Sequence, residues 1–261
     1  MSVESIYTTQ LQAGLGLVDE TRQLLQLWEP GMSAALLYDL ALRSGYFSGM
    51  SARRLLNVVK ECFAPRYLVR NGYPAQALKI AMEVIPPAAF EQLLFLYTAR
   101  ANRILADFIK ETYWTKYTQG HLSISNEDAR DFVLKANQHG KTQKSWSDST
   151  LRRVSSYLTG TCAEFHLLEA GTRSLRRIQV FRLEPVVAAW LAYDLHFQGL
   201  GDNVVVQHSD WQLFGMESEV VRQQLRQLSL KGYFIIQTTT NSTHLSWNYQ
   251  NWEELIHGLN K

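Results

Sequence analysis

The sequence predicts a mainly α chain with small β-hairpins: an N-terminal helical domain containing a helix-turn-helix-like unit, followed by two winged-helix-like units. Three observations predict this. Apolar residues recur at spacings of three and four through most of residues 1–138. Residues 147–183, SDSTLRRVSSYLTGTCAEFHLLEAGTRSLRRIQVFRL, read as an amphipathic helix followed by an arginine-bearing strand–turn–strand. The same order of helix, glycine and alternating strand residues returns over 217–247. The expected segments are therefore 1–138, 139–198 and 199–261.

The first helix runs from Leu17 to Trp28, with Val18, Leu24, Leu25 and Trp28 on its apolar side, and Pro30-Gly31 ends it. A second spans Ser33 to Arg43, with Leu36, Leu37, Leu40 and Ala41 inward. Ser51 caps a third, Ala52 to Phe63. Leu55, Val59, Cys62 and Phe63 form its packing stripe, and Arg53, Arg54, Asn57, Lys60 and Glu61 the opposite one. Two cations in a first turn oppose the helix dipole, which an anion such as phosphate relieves. The plainer reading is a solvated face.

Pro65, Asn71-Gly72 and Pro74 punctuate the next connection, and Ala75 to Ile85 is helical. A long helix follows from Ala88 to Tyr117, with Phe90, Leu93, Leu94, Tyr97, Ile104, Leu105, Phe108 and Ile109 at helical spacings. Its tail residues Tyr113, Trp114 and Tyr117 fit core packing better than base stacking. Ser125 and Asp128 form a capping box that opens a helix through Asn137. Residues 139–147 show no apolar period and read as a hinge; the GKT within them lacks the glycine-rich loop and strand of a phosphate-binding loop.

In the next helix Leu151, Val154 and Leu158 lie on one stripe, and Ser149, Arg152, Arg153 and Ser156 on the other. Phe165, Leu167 and Leu168 begin a strand, Gly171-Thr172 turn it, and Ile178, Val180 and Leu183 continue with one break at Phe181. Helix then basic hairpin implies a helix in a DNA groove, with Arg173, Arg176 and Arg177 beside phosphates. Beyond a helix from Pro185 to Phe197 come an apolar piece at Trp211–Phe214, a helix from Glu217 to Leu230 and a hairpin about Asn241-Ser242. Ile236, Thr238, Leu245 and Trp247 alternate in that hairpin. With no Lys or Arg between Phe234 and Trp247, it fits packing or a protein partner better than phosphate. A short amphipathic helix with Trp252, Leu255 and Ile256 closes the chain.

Charge supports the same picture. The 261 residues carry a net charge of only +2, yet seven basic residues face one acidic residue between Arg43 and Lys79, and seven face three between Lys144 and Arg182. Cys62 and Cys162 have no ligand-like spacing and read as buried thiols. No HExxH, GxSxG or dinucleotide fingerprint occurs, so neither catalysis, cofactor nor metal is expected. Without a signal pattern or a long apolar run, a cytoplasmic protein free of the membrane is expected.

LLYDLALRSGYFSGMSARRLLNVVKE, TLRRVSSYLTGTCAEFHLLEAG, RRIQVFRLEPVVAAWLAYDL and the later Trp-Gln-Leu-Phe segment together resemble the BrxA family of bacterial phage-exclusion (BREX) systems. The resemblance implies a small, non-catalytic DNA-binding component acting beside other proteins of the system. The residues themselves predict duplex DNA as the partner of Arg53, Arg54, Asn57, Lys60, Lys144, Ser149, Arg152, Arg153, Arg173, Arg176 and Arg177. A protein–protein adaptor built on winged-helix modules is the alternative, and RNA binding through Tyr113, Trp114 and Tyr117 a weaker one.

Overall fold

The computed structural model describes residues 7–13, 16–142, 144–171, 174–239 and 242–259. It is mainly helical, with two antiparallel strand pairs among the described residues. The chain divides into two compact units that interleave in sequence: residues 1–76 with 94–181, and residues 77–93 with 182–261.

The first unit opens with α1 (Val18–Leu27) and α2 (Ala34–Arg43), the latter capped by the Ser33 hydroxyl, which accepts from the Leu36 N–H at 3.3 Å. Leu37 and Ala41 are buried, but Leu36 is 60% exposed, so the inward stripe of α2 is narrower than its leucines suggest. Helix α3 covers 52–67 as Ala52–Asn57, a π-turn over Val58–Phe63, and Ala64–Tyr67. Pro65 therefore does not end it. The wide turn, in which the Ala64 N–H reaches the Val59 carbonyl, leaves room for a ring that has no N–H to donate. Next comes α4 (Val69–Ala81), in which Arg70, Asn71 and Gly72 all adopt left-handed conformations. At Gly72, φ is +78° and an added Cβ would lie 2.5 Å from the Trp28 ring, so only glycine fits that turn.

The long helix expected over 88–117 is two helices. Helix α5 (Pro87–Ala101) stops at Asn102, whose φ of −128° and ψ of 89° leave the helical region, and α6 covers 103–118 with a π-turn at Ile109–Tyr113. Asn102 tolerates the break because its side-chain amide donates to the Thr98 carbonyl at 2.8 Å, taking over a bond that the backbone gives up. Tyr113 is fully buried and donates to the Leu167 carbonyl, while Trp114 packs edge-on against Tyr117 and Phe181. These rings serve packing.

Next come β1 (Ser123–Ser125), α7 (Asn126–Gln138), α8 (Asp148–Glu164) and β2 (Leu175–Arg177). The capping box of α7 forms as expected, with Ser125 and Asp128 satisfying each other's backbone N–H groups. Phe165 caps the end of α8 and starts no strand. The basic strand β2 pairs with β1, Ser123 opposite Arg177 and Ser125 opposite Leu175, rather than forming a simple two-strand hairpin. Its other edge meets residues 167–169 through the Leu168–Ile178 bridge and the bond from Glu169 N–H to the Arg177 carbonyl. Residues 175–178 are thus the middle of a small three-strand ribbon.

In the second unit α9 (Pro185–Phe197) is buried from Val187 to Leu195, which accounts for its continuous apolar run. Around it lie α10 (Asp202–Gln207), a 3-10 turn (Ser209–Phe214), α11 (Ser218–Leu230), β3 (Phe234–Thr238), β4 (Thr243–Trp247) and α12 (Trp252–Leu259). Val221, Leu225 and Leu228 of α11 are buried, as the spacing predicts, and Trp190 stacks on Trp252 at 4.1 Å. Asn241, expected in the hairpin turn, lies outside the described residues; Thr239 N–H closes the hairpin on the Ser242 carbonyl.

Candidate nucleic-acid interface

Helix α8 is the centre of the candidate interface. Ser147 caps it, and Leu151, Val154, Ser155, Leu158 and Cys162 are buried along one side. Each of those aliphatic side chains contributes roughly 1.5–3 kcal/mol on burial, which fixes the helix's rotation. Ser149, Arg152, Arg153 and Ser156 are consequently exposed together. Burial pushes the Cys162 thiol well above its usual range.

The two arginines of that face differ. Arg152 Nε lies 2.9 Å from Asp148 Oδ2, one turn back, and Arg130 of α7 holds the other oxygen at 2.8 Å. Arg130 first, then Arg152, keeps the Asp148 carboxyl below the ordinary carboxylate range. Arg153 is exposed and borders a cavity of about 430 Å³ at the start of α8, together with Lys144, Thr150 and the Thr8 and Thr9 residues. Nothing in the local pattern around Thr8 and Thr9 marks them. They arrive there because Tyr7 is pinned by its N–H to the Lys141 carbonyl and by its hydroxyl to Asp107 at 2.8 Å. Within the segment expected as a hinge, Thr142 and Trp146 are buried, and the Asn137 side chain accepts from both.

On the ribbon, parity separates the arginines. Arg176 shares its face with the fully buried Ile124, is half-buried, and donates to the Glu169 carbonyl at 3.0 Å. Arg177 points the other way and is exposed beside Ser123. Arg173 lies outside the described residues. On α3, Arg53, Asn57 and Lys60 are exposed, whereas Arg54 is half-buried and lines cavities that also contain Asp19, Glu20 and Glu164. Among the described residues none of Arg53, Lys60, Lys144, Arg153 and Arg177 is held in an ion pair. No group of three His, Cys, Asp or Glu residues capable of holding a metal occurs among them either.

A model of the BrxA family matches residues 5–194. The chain belongs to the BrxA family. That family places it among components of bacterial phage-exclusion (BREX) systems. The matched span takes in α1 through α8, the ribbon and most of α9. A crystal structure of an uncharacterized protein from Magnetospirillum magneticum has a similar fold: TM-score 0.56 at 13% identity, covering 73% of this BrxA-family chain and 94% of the other. No curated protein matches the chain. Among the described residues of this BrxA-family protein, no helix is long and apolar enough to cross a membrane.

Proposed function

We propose that this BrxA-family protein is a non-catalytic, duplex-DNA-binding component of its phage-exclusion system. The observation that carries the reading is the order α6, β1, α7, α8, ribbon, with the first strand returning to pair with the last. This order supports reading the segment as a winged helix-turn-helix, in which the second helix of the pair enters the major groove and the strand turn lies along the backbone. On this reading the winged module begins near residue 103, well before residue 139, and α8 is its reading helix.

Roles follow from exposure. Arg153 and Ser149 meet the groove, where a guanidinium matches the O6 and N7 acceptors of guanine. Lys144, beside the start of α8, and Arg177, on the ribbon, meet phosphates. Arg173, outside the described residues, is assigned the same role from its charge and its place in the sequence. Arg176 holds the ribbon together. Arg152 is a reserve cation that must exchange Asp148 for phosphate. Arg53, Asn57 and Lys60 form a second contact surface on α3.

A mobility-shift titration with unrelated duplexes tests the reading. A salt-sensitive shift with each duplex, weakened in Arg153→Ala and Arg177→Ala, is expected. Absence of any shift at low salt overturns it in favour of the adaptor reading, which the uncharged hairpin of the second unit independently favours for that unit.

A further inference from the structure

The two outer edges of the β3–β4 hairpin are treated differently. The Thr239 N–H bonds the Ser242 carbonyl at 2.8 Å, so that pair is a hydrogen-bonded one. Counting back along the register, Gln237–His244 and Ile235–Ser246 are hydrogen-bonded too. The backbone groups of Thr243, Leu245 and Trp247 must then point away from β3, and those of Phe234, Ile236 and Thr238 away from β4.

The β4 edge is closed by side chains. Asn203 Oδ1 accepts from the Thr243 N–H at 2.9 Å, Asp202 Oδ2 from the Leu245 N–H at 2.9 Å, and Asp202 Oδ1 from the Trp247 indole at 3.2 Å. No corresponding bond reaches the outward groups of Ile236 or Thr238 among the described residues. Exposed strand edges are ordinarily blunted by lysine, proline or a bulge. The strand FIIQT has none of these, and Ile235 stands 57% exposed on it.

We infer that the outer edge of β3 pairs with the same edge of a second copy of this chain, joining two hairpins into one four-strand sheet about a two-fold axis at Ile236. In that register Ile236 faces its own mate and Phe234 faces the mate's Thr238. Every outward N–H then meets an outward carbonyl, forming about six main-chain bonds. A second copy is the favoured occupant because β3 carries no ionisable side chain, so bringing two identical strands together costs no like-charge repulsion. An isologous contact also closes on itself. The inference is independent of DNA binding. The paired edges cover far less than the roughly 1,200 Å² of a durable interface, so a dimer with a Kd of about 10–100 µM is expected.

Sedimentation velocity of the full chain from about 5 to 500 µM, with amide exchange at both ends of that range, tests it. The wild type should pass from monomer to dimer, and the Ile236 and Thr238 amides should slow with concentration while Ile235 and Gln237 stay slow throughout. Ile236→Pro removes an outward donor without touching the β3–β4 ladder and should stay monomeric, with the melting curve checking that it folds. Should that variant not fold, Ile235→Lys replaces it and should also be monomeric. A wild type that remains monomeric, including one whose β3 edge is taken by another protein's strand, overturns the inference. So does self-association that survives the edge substitutions.

Discussion

At the scale of single residues, Asp148 governs how much charge α8 presents. Its carboxylate occupies Arg152 and Arg130, leaving Arg153 free to act. Arg153→Ala should flatten the plot of log binding constant against log salt by about one unit, the contribution of one phosphate contact, whereas Arg152→Ala should change it less. Asp148→Asn should release Arg152 and steepen the same plot, measured by salt-titrated anisotropy. Another local device is the Ser125–Asp128 box. Although burial opposes it, Lys116 at 2.8 Å and the Ser125 N–H and hydroxyl hold the Asp128 carboxyl below its ordinary range. A depressed folded-state value means that this stabilisation is complete above the unfolded value of about 3.9 and is lost as pH falls through the folded value. Asp128→Asn should therefore flatten the acid limb of the stability curve. Ser125→Ala should cost about 1 kcal/mol in urea unfolding at neutral pH.

At the scale of elements, the three residues of β1 matter because they hold the basic strand. Ile124 is fully buried at their centre, and on either side the ladder orients Arg177 outward and Arg176 inward. Ile124→Ala should cost about 2–5 kcal/mol and weaken DNA binding although it removes no cation; normal affinity in a folded variant would show that the ribbon takes no part. Gly72→Ala should destabilise by more than about 1 kcal/mol, since it meets both a left-handed φ and the Trp28 ring. Much of the helical structure was readable: the caps expected at Ser51 and Ser125 form, and Ser33 and Ser147, where helices were expected to begin, also act as caps. The break at Asn102 was not, because the apolar spacing continues through it and only a side-chain bond to Thr98 makes the kink tolerable. Leu36 was misplaced for a related reason: periodicity gives a stripe's direction but not how far a neighbour extends over it.

At the scale of the whole molecule, a net charge of +2 understates the local concentrations of cations. The five exposed cations Arg53, Lys60, Lys144, Arg153 and Arg177 set the scale of the electrostatic term. If all five meet phosphates, log affinity should fall against log salt with a slope of roughly −4 to −5, and a slope near zero would remove the DNA reading. Arg54 and Arg176 stand outside that count because each is half-buried. The unit formed by 182–261 with 77–93 carries a hairpin without Lys or Arg, so it adds nothing to that electrostatic term from its strands.

What the sequence by itself determined is local: which residues turn into helix, which stripe of each is apolar, where serine starts them, and that the chain carries the BrxA pattern. These depend on neighbours three or four positions away. Only the tertiary structure decided that β2 pairs with β1 some fifty residues earlier, that Arg176 faces in and Arg177 out, and that Asp202 and Asn203 close one edge of a hairpin and leave the other open. Three-residue strands carry too few side chains to announce a register, and the backbone groups that pair them are the same in every residue.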